Sequence, residues 1–148
     1  MAPLITLVVA TLAARTAGWL GWDYADRWPA AAAVGLSAMF VLTGVAHFVQ
    51  PLRGDMIAIV PPRLPAPALL VTITGVLELL GAIGLLVPAT RTAAAVCLFA
   101  LMLIMFPANV YAARNPGAPK SMATPLPRRT VEEIVFLAGA VLVAAGSG

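Results

Sequence analysis

Charge is what this sequence has least of. Of its 148 residues only 10% are Asp, Glu, Lys or Arg, whereas a soluble domain of this length carries roughly a quarter. A water-facing exterior cannot be built from so few charges. A lipid-facing one needs none. Cysteine is nearly absent too: Cys97 stands alone in an apolar run, which excludes an internal disulfide and a CxxC redox pair. There is one histidine, no zinc-ligand spacing and no phosphate-binding glycine loop, so no metal site is expected. No basic stripe of the kind that follows a nucleic-acid backbone is present. What the sequence does have is apolar length. It is 61% hydrophobic, with a mean hydropathy of +0.98.

A spanning helix needs about 20 apolar residues. Five segments approach that length, at about 4–22, 30–50, 67–88, 92–113 and 131–146, the last one short. They predict an all-α, polytopic membrane helix bundle in a single membrane domain. Pro29 falls where a helix accepts proline, in its first turn. Thr90 and Thr92 are N-cap candidates for the fourth span, and Thr130 with Glu133 has capping-box spacing for the fifth. Two proline-rich connections, 51–66 and 114–129, are read as loops; the first is expected extended at the mouth of the bundle. The first span lacks a basic leading region and is interrupted by Arg15, which argues against a cleaved signal peptide.

Five spans put Arg53, Arg63, Arg114, Lys120, Arg128 and Arg129 on one side, and Arg27 and Arg91 on the other. The positive-inside rule makes the first side cytoplasmic, which predicts a cell-membrane protein with its N-terminus inside and its C-terminus outside. Trp19, Trp22 and Trp28 then form an aromatic belt at the outer face.

Ionisable residues inside a bilayer are expensive and mark function by default. Glu78 is central. It lies about 16 Å into its span, and its helical neighbours Thr74, Gly75, Gly81 and Ala82 are small, so it should face another helix. It reads either as a protonatable acid/base or ligand contact, or as a carboxyl that fixes helix register. Arg15 has a similar depth in the first span, which allows an ion pair with Glu78; otherwise it snorkels past Trp19. His47, with Thr43 and Gly44 on its face, points inward as a second acid/base candidate or as a hydrogen-bonded packing residue. Pro107 should free the Leu103 carbonyl and kink the fourth span, with Asn109 just beyond. Asn109 and Glu132 are expected at the same end as His47. Asn109, Arg15, Arg63 and Glu132 are therefore the candidate ligand contacts around catalytic candidates Glu78 and His47.

These residues carry a resemblance. Gly44-Val45-Ala46-His47-Phe48 with Pro51, Val60-Pro61-Pro62-Arg63-Leu64-Pro65, Thr74-Gly75-Val76-Leu77-Glu78-Leu79-Leu80-Gly81, Gly84-Leu85-Leu86-Val87-Pro88 with Thr90-Arg91, and Phe106-Pro107-Ala108-Asn109-Val110-Tyr111 resemble the DoxX-like family of small membrane proteins. The resemblance runs from about Leu36 to Arg129. It implies a four-helix core, to which the N-terminal span is an addition. The last family helix typically opens with Arg and, four residues on, Gln; here Arg128 and Arg129 are followed at that spacing by Glu132 and Glu133. The family implies a quinone-associated redox accessory protein, with quinone or haem as the cofactor to look for and a membrane redox partner or a second copy as companion. Two further readings stand beside it. One is a membrane-embedded isomerase or cyclase acting on a lipophilic small molecule, with Glu78 as the acid/base. The other is a non-catalytic assembly or scaffold protein.

Overall fold

A computed structural model of the chain describes residues 1–146, and among them every regular element is helical. The long helices are α1 (Ala2–Trp19), α2 (Trp28–Ala46), α4 (Pro67–Leu86), α5 (Arg91–Arg114) and α6 (Leu126–Ala145). A short helix, α3 (Leu52–Ala58), interrupts the first proline-rich connection, and a single 3-10 turn (Asp23–Ala25) joins α1 to α2. Helices α1, α2, α4 and α5 are long and apolar enough to cross a membrane. α6 is as long as α4, but Arg128, Arg129, Glu132 and Glu133 fall in its first two turns.

The long helices alternate in direction. Thr11 of α1 meets Gly35 of α2, and Gly75 of α4 meets His47 of α2. Gly84 of α4 meets Ala94 of α5, while Gly146 just beyond α6 meets Pro29 at the start of α2. The result is an up-and-down bundle with α2 at its centre, packed on α1, α4 and α6. Its sequence suits that place. Ala30 to Ala33, Gly35, Leu36, Ser37, Met39, Phe40 and Gly44 are all buried, so no face of α2 is left open along much of its length. Outward-facing Ile5, Val9, Leu80, Ile83, Ile104 and Ile134 stay exposed on the other helices. That is an apolar exterior suited to hydrocarbon.

Small residues set the helix spacing. A Cβ on Gly35 would lie 2.7 Å from the Leu7 carbonyl, and one on Gly75 would lie 2.5 Å from the His47 Cβ. Without a hydrophobic drive between helices in lipid, such close backbone approach supplies the packing energy. The Ser37 hydroxyl adds a buried bond of 2.9 Å to the Ala82 carbonyl, from α2 to α4.

Three expectations shift. The segment 51–66 is not an extended loop throughout, because α3 forms inside it. α6 starts at Leu126, five residues before the expected span, because Pro127 sits comfortably in a helix's first turn. Thr130 is consequently interior to α6: its hydroxyl donates to the Leu126 carbonyl at 2.9 Å, and the capping box with Glu133 does not form. Pro107 lies inside α5, which continues to Arg114, close to the expected span of 92–113.

Gly35→Ala should push α1 off α2, with an expected loss of about 1–3 kcal/mol, the usual cost of overpacking. Reversible unfolding in mixed detergent micelles measures it. Gly139→Ala, also inside a helix and with an added Cβ no nearer than 3.6 Å to the Leu36 side chain, controls for the substitution without a packing clash.

Candidate functional site

Glu78 is buried, with 5% of its surface exposed, and so is His47 at 3%. Glu78 faces α2, as its small neighbours predict: Gly75 and Ala82 are buried with it. The Thr43 hydroxyl donates to Glu78 Oε2 at 2.5 Å, and His47 Nε2 stands 3.9 Å from Oε1. His47 Nδ1 lies 2.9 Å from the Thr43 carbonyl. A carbonyl only accepts, so Nδ1 carries the hydrogen. In the neutral ring, Nε2 then presents a lone pair toward Glu78. A single proton has two homes here, the carboxyl or the imidazole, and Thr43 orients both: its hydroxyl holds the carboxylate and its carbonyl sets the tautomer.

Arg53 of α3 braces this arrangement. Its Nη1 donates to the His47 carbonyl at 2.9 Å, and its Nη2 donates to the Ala68 carbonyl at 3.2 Å and the Thr72 hydroxyl at 3.0 Å. The guanidinium thus caps the C-terminal end of α2, where helix carbonyls lack partners, and ties it to the first turns of α4.

The remaining candidates do not join Glu78. Arg15 does not pair with it: Arg15 Nη1 is 3.7 Å from Asp26 Oδ1, and its guanidinium lies over the rings of Trp19 (4.8 Å) and Trp28 (5.6 Å). The reason is packing. Gly35 faces α1 and Gly44 faces α4, and about two and a half turns separate them, so α1 and α4 lie on nearly opposite sides of α2. Arg15 turns instead toward the end of α1, where Trp19, Trp28 and Asp26 surround a guanidinium whose Nε and Nη1 are buried without a hydrogen-bond partner. Asn109 is turned toward α6, where its Oδ1 accepts from Arg129 Nη1 at 2.7 Å. Glu132 takes Arg128 at 3.3 Å and the N-terminal amine at 3.8 Å. Arg63 is exposed in the loop before α4. The expected single polar convergence is two separate groups, one between α2 and α4 and one between α5 and α6.

Three participants went unrecognised as site residues. Thr43 could have been found, since it sits one helical turn before His47. Arg53 carries no sequence signal, because its partners are carbonyls brought near only by α3. Arg129 was read as a topogenic charge; it also donates to the Met122 carbonyl at 2.8 Å. Among the described residues no cluster of His, Cys, Asp or Glu could hold a metal ion. Two shallow surface hollows lie away from Glu78. One, of about 240 Å³, is lined by Tyr111, Arg114, Asn115 and Pro116. The other, of about 160 Å³, lies between α5 and α6.

The match to known families covers this whole arrangement. Residues 36–146 match a domain of unknown function, DUF8561. The chain belongs to that family. The matched region holds both polar groups and excludes α1. No curated protein and no solved structure matches the chain.

Thr43→Val keeps the shape and removes the donor to Glu78. The expected loss is about 1–3 kcal/mol, the cost of stranding a buried acceptor, read by unfolding in micelles. Thr43→Ser should restore most of it. Equal stability of the valine variant and wild type would mean that the hydroxyl does not hold the carboxyl.

Proposed function

We propose that this DUF8561 protein is a multi-pass membrane protein whose Thr43–His47–Glu78 group handles a proton for a lipophilic ligand, as a quinone-associated redox accessory protein would. The observation that carries the reading is the His47–Glu78 pair. An imidazole lone pair and a carboxyl face each other across 3.9 Å in a nearly dry part of the bundle. A buried ionisable pair costs desolvation energy that a merely structural contact between α2 and α4 does not require. Reduction of a quinone head takes two electrons, here from a membrane redox partner, and two protons, and a group with two proton sites near the lipid is suited to deliver one of the protons. The resemblance of residues 36–129 to DoxX-like proteins points the same way, with α1 as an addition to a four-helix core.

The scaffold reading has one observation in its favour. Thr43 satisfies Glu78 directly, and the close packing at Gly75 leaves the neighbourhood of His47 tight. The two readings separate experimentally. Protein purified from native membranes in mild detergent is extracted with solvent, and bound quinone is measured by chromatography. Wild type should retain quinone, and Glu78→Gln should lower retention about tenfold, the worth of one charge-assisted hydrogen bond. Undiminished retention in Glu78→Gln removes Glu78 from the site. No quinone in wild type favours the scaffold.

We also infer that the end holding Arg53, Arg63, Arg114, Lys120, Arg128 and Arg129 faces the cytoplasm, by the positive-inside rule. The amine of Met1 sits at that end, beside Glu132, and α6 finishes at the other, beside Pro29. The terminal residue Gly148 lies outside the described residues. A cysteine replacing exposed Lys120 in a Cys97→Ser background should resist a membrane-impermeant maleimide in intact cells and react after permeabilisation. Labelling in intact cells reverses the orientation.

A further inference from the structure

We propose that the seam between α5 and α6 binds a phosphatidylethanolamine molecule, with its phosphate on Arg129, its ammonium on Glu133 and an acyl chain running along the two helices.

The head of this site rests on two stranded atoms. Arg129 Nε and Glu133 Oε1 are both buried and both lack a hydrogen-bond partner. Stranded charged groups of this kind are costly, so a native arrangement normally supplies a mate. One helical turn puts them on the same face of α6, close enough to feel each other's charge, but no hydrogen bond joins these two atoms. The neighbouring charges are committed elsewhere. Glu132 holds Arg128 and the amine of Met1, and the two terminal nitrogens of Arg129 are taken by Asn109 and the Met122 carbonyl. What the chain leaves unpartnered here is Arg129 Nε as a donor and Glu133 Oε1 as an acceptor, on residues one helical turn apart. The complementary ligand is a zwitterion, with an anion that accepts and a cation that carries N–H groups. The phosphoethanolamine head has both.

Its tail has a track on the same helix pair. α5 and α6 run antiparallel with Asn109 opposite Arg129, so the stripe of Asn109, Met105, Met102, Phe99 and Ala95 meets that of Arg129, Glu133, Phe136, Ala140 and Ala144. Toward the far end this seam opens into an apolar groove of about 160 Å³, lined by Ala95, Val96, Phe99, Ala140, Val141 and Ala144. Alanines on both helices leave that room. Seven residues of α6 separate Glu133 from Ala140, about 10 Å of rise, which is within the reach of an acyl chain whose head sits at the basic end. The polar pair and the groove are thus at two depths along one seam, as the head and tail of one amphiphile are.

The test uses the full chain in nanodiscs that offer phosphatidylethanolamine, phosphatidylcholine and phosphatidylglycerol in equal amounts. Lipid retained after mild detergent extraction is counted by mass spectrometry. Phosphatidylcholine has the same phosphate but no N–H on its cation. Wild type should hold phosphatidylethanolamine about tenfold over phosphatidylcholine, the worth of a charged hydrogen bond. Glu133→Gln is isosteric and should abolish that preference while retaining phospholipid through Arg129. Arg129→Gln should lose retention of both. Equal retention of the two zwitterionic lipids by wild type would overturn the proposal. So would a preference that survives Glu133→Gln, or a preference for phosphatidylglycerol over both.

Discussion

Everything in this bundle depends on how closely other helices can approach α2. Hydrocarbon gives apolar side chains no reason to leave it, so helix association rests on contact at short range and on polar groups that find one another. α2 answers with a surface of alanine and glycine. Gly35 admits α1, Gly44 lies against Leu79 of α4, and Leu36 packs beside Gly139 of α6. Larger side chains at those places would move three interfaces at once. The close approach also creates the chemistry. Only because Gly75 has no Cβ can His47 sit beside α4, and only there does its ring reach the neighbourhood of Glu78.

The polar residues follow a rule of depth. Those near the ends reach rings, water-facing partners and backbone carbonyls, although some nitrogens of Arg15, Arg91 and Arg129 keep no hydrogen-bond partner within the chain. Arg91, for example, donates to the Leu85 carbonyl at 3.0 Å and lies over the Tyr24 ring at 5.0 Å. At this end Arg15 is likewise held by Trp19, Trp28 and Asp26. Its position near the end of α1 made an interior ion pair unnecessary. Glu78 has no such exit. Twelve residues into a helix of 20, it must be satisfied by side chains of another helix, and Thr43 and His47 are the groups that α2 offers.

That contrast explains which parts were legible in advance. Apolar length fixed the number and positions of the long helices closely, because a spanning helix is a property of one continuous segment. The inward direction of Glu78 and His47 was legible too, since small residues three and four positions away mark a packed face. Pairing between helices was not. Equal depth allowed Arg15 to meet Glu78, but depth says nothing of rotation about α2, and the rotation places α1 on the far side. The start of α6 was missed because its first two turns are charged, so hydropathy alone placed the helix at Val131 when the backbone enters it at Leu126. α3 was hidden by the prolines that flank it.

The two polar groups differ in what they leave unfinished, and this bears on how the molecule works. At Glu78 the donors and acceptors are nearly matched. At Arg129 and Glu133 whole hydrogen-bonding positions are unmet within the chain, which calls for a second molecule. They sit on different flanks of the bundle, one between α2 and α4 and the other between α5 and α6. α4 contacts α5 and α2 contacts α6, so the flanks share walls. Both lie within residues 36–146, the part this chain has in common with its family, whereas α1 lies outside it; the Met1 amine at the start of α1 reaches Glu132. The family segment therefore contains both polar groups, with α2 from Leu36 onward and α4, α5 and α6, and α1 packs on another face of α2.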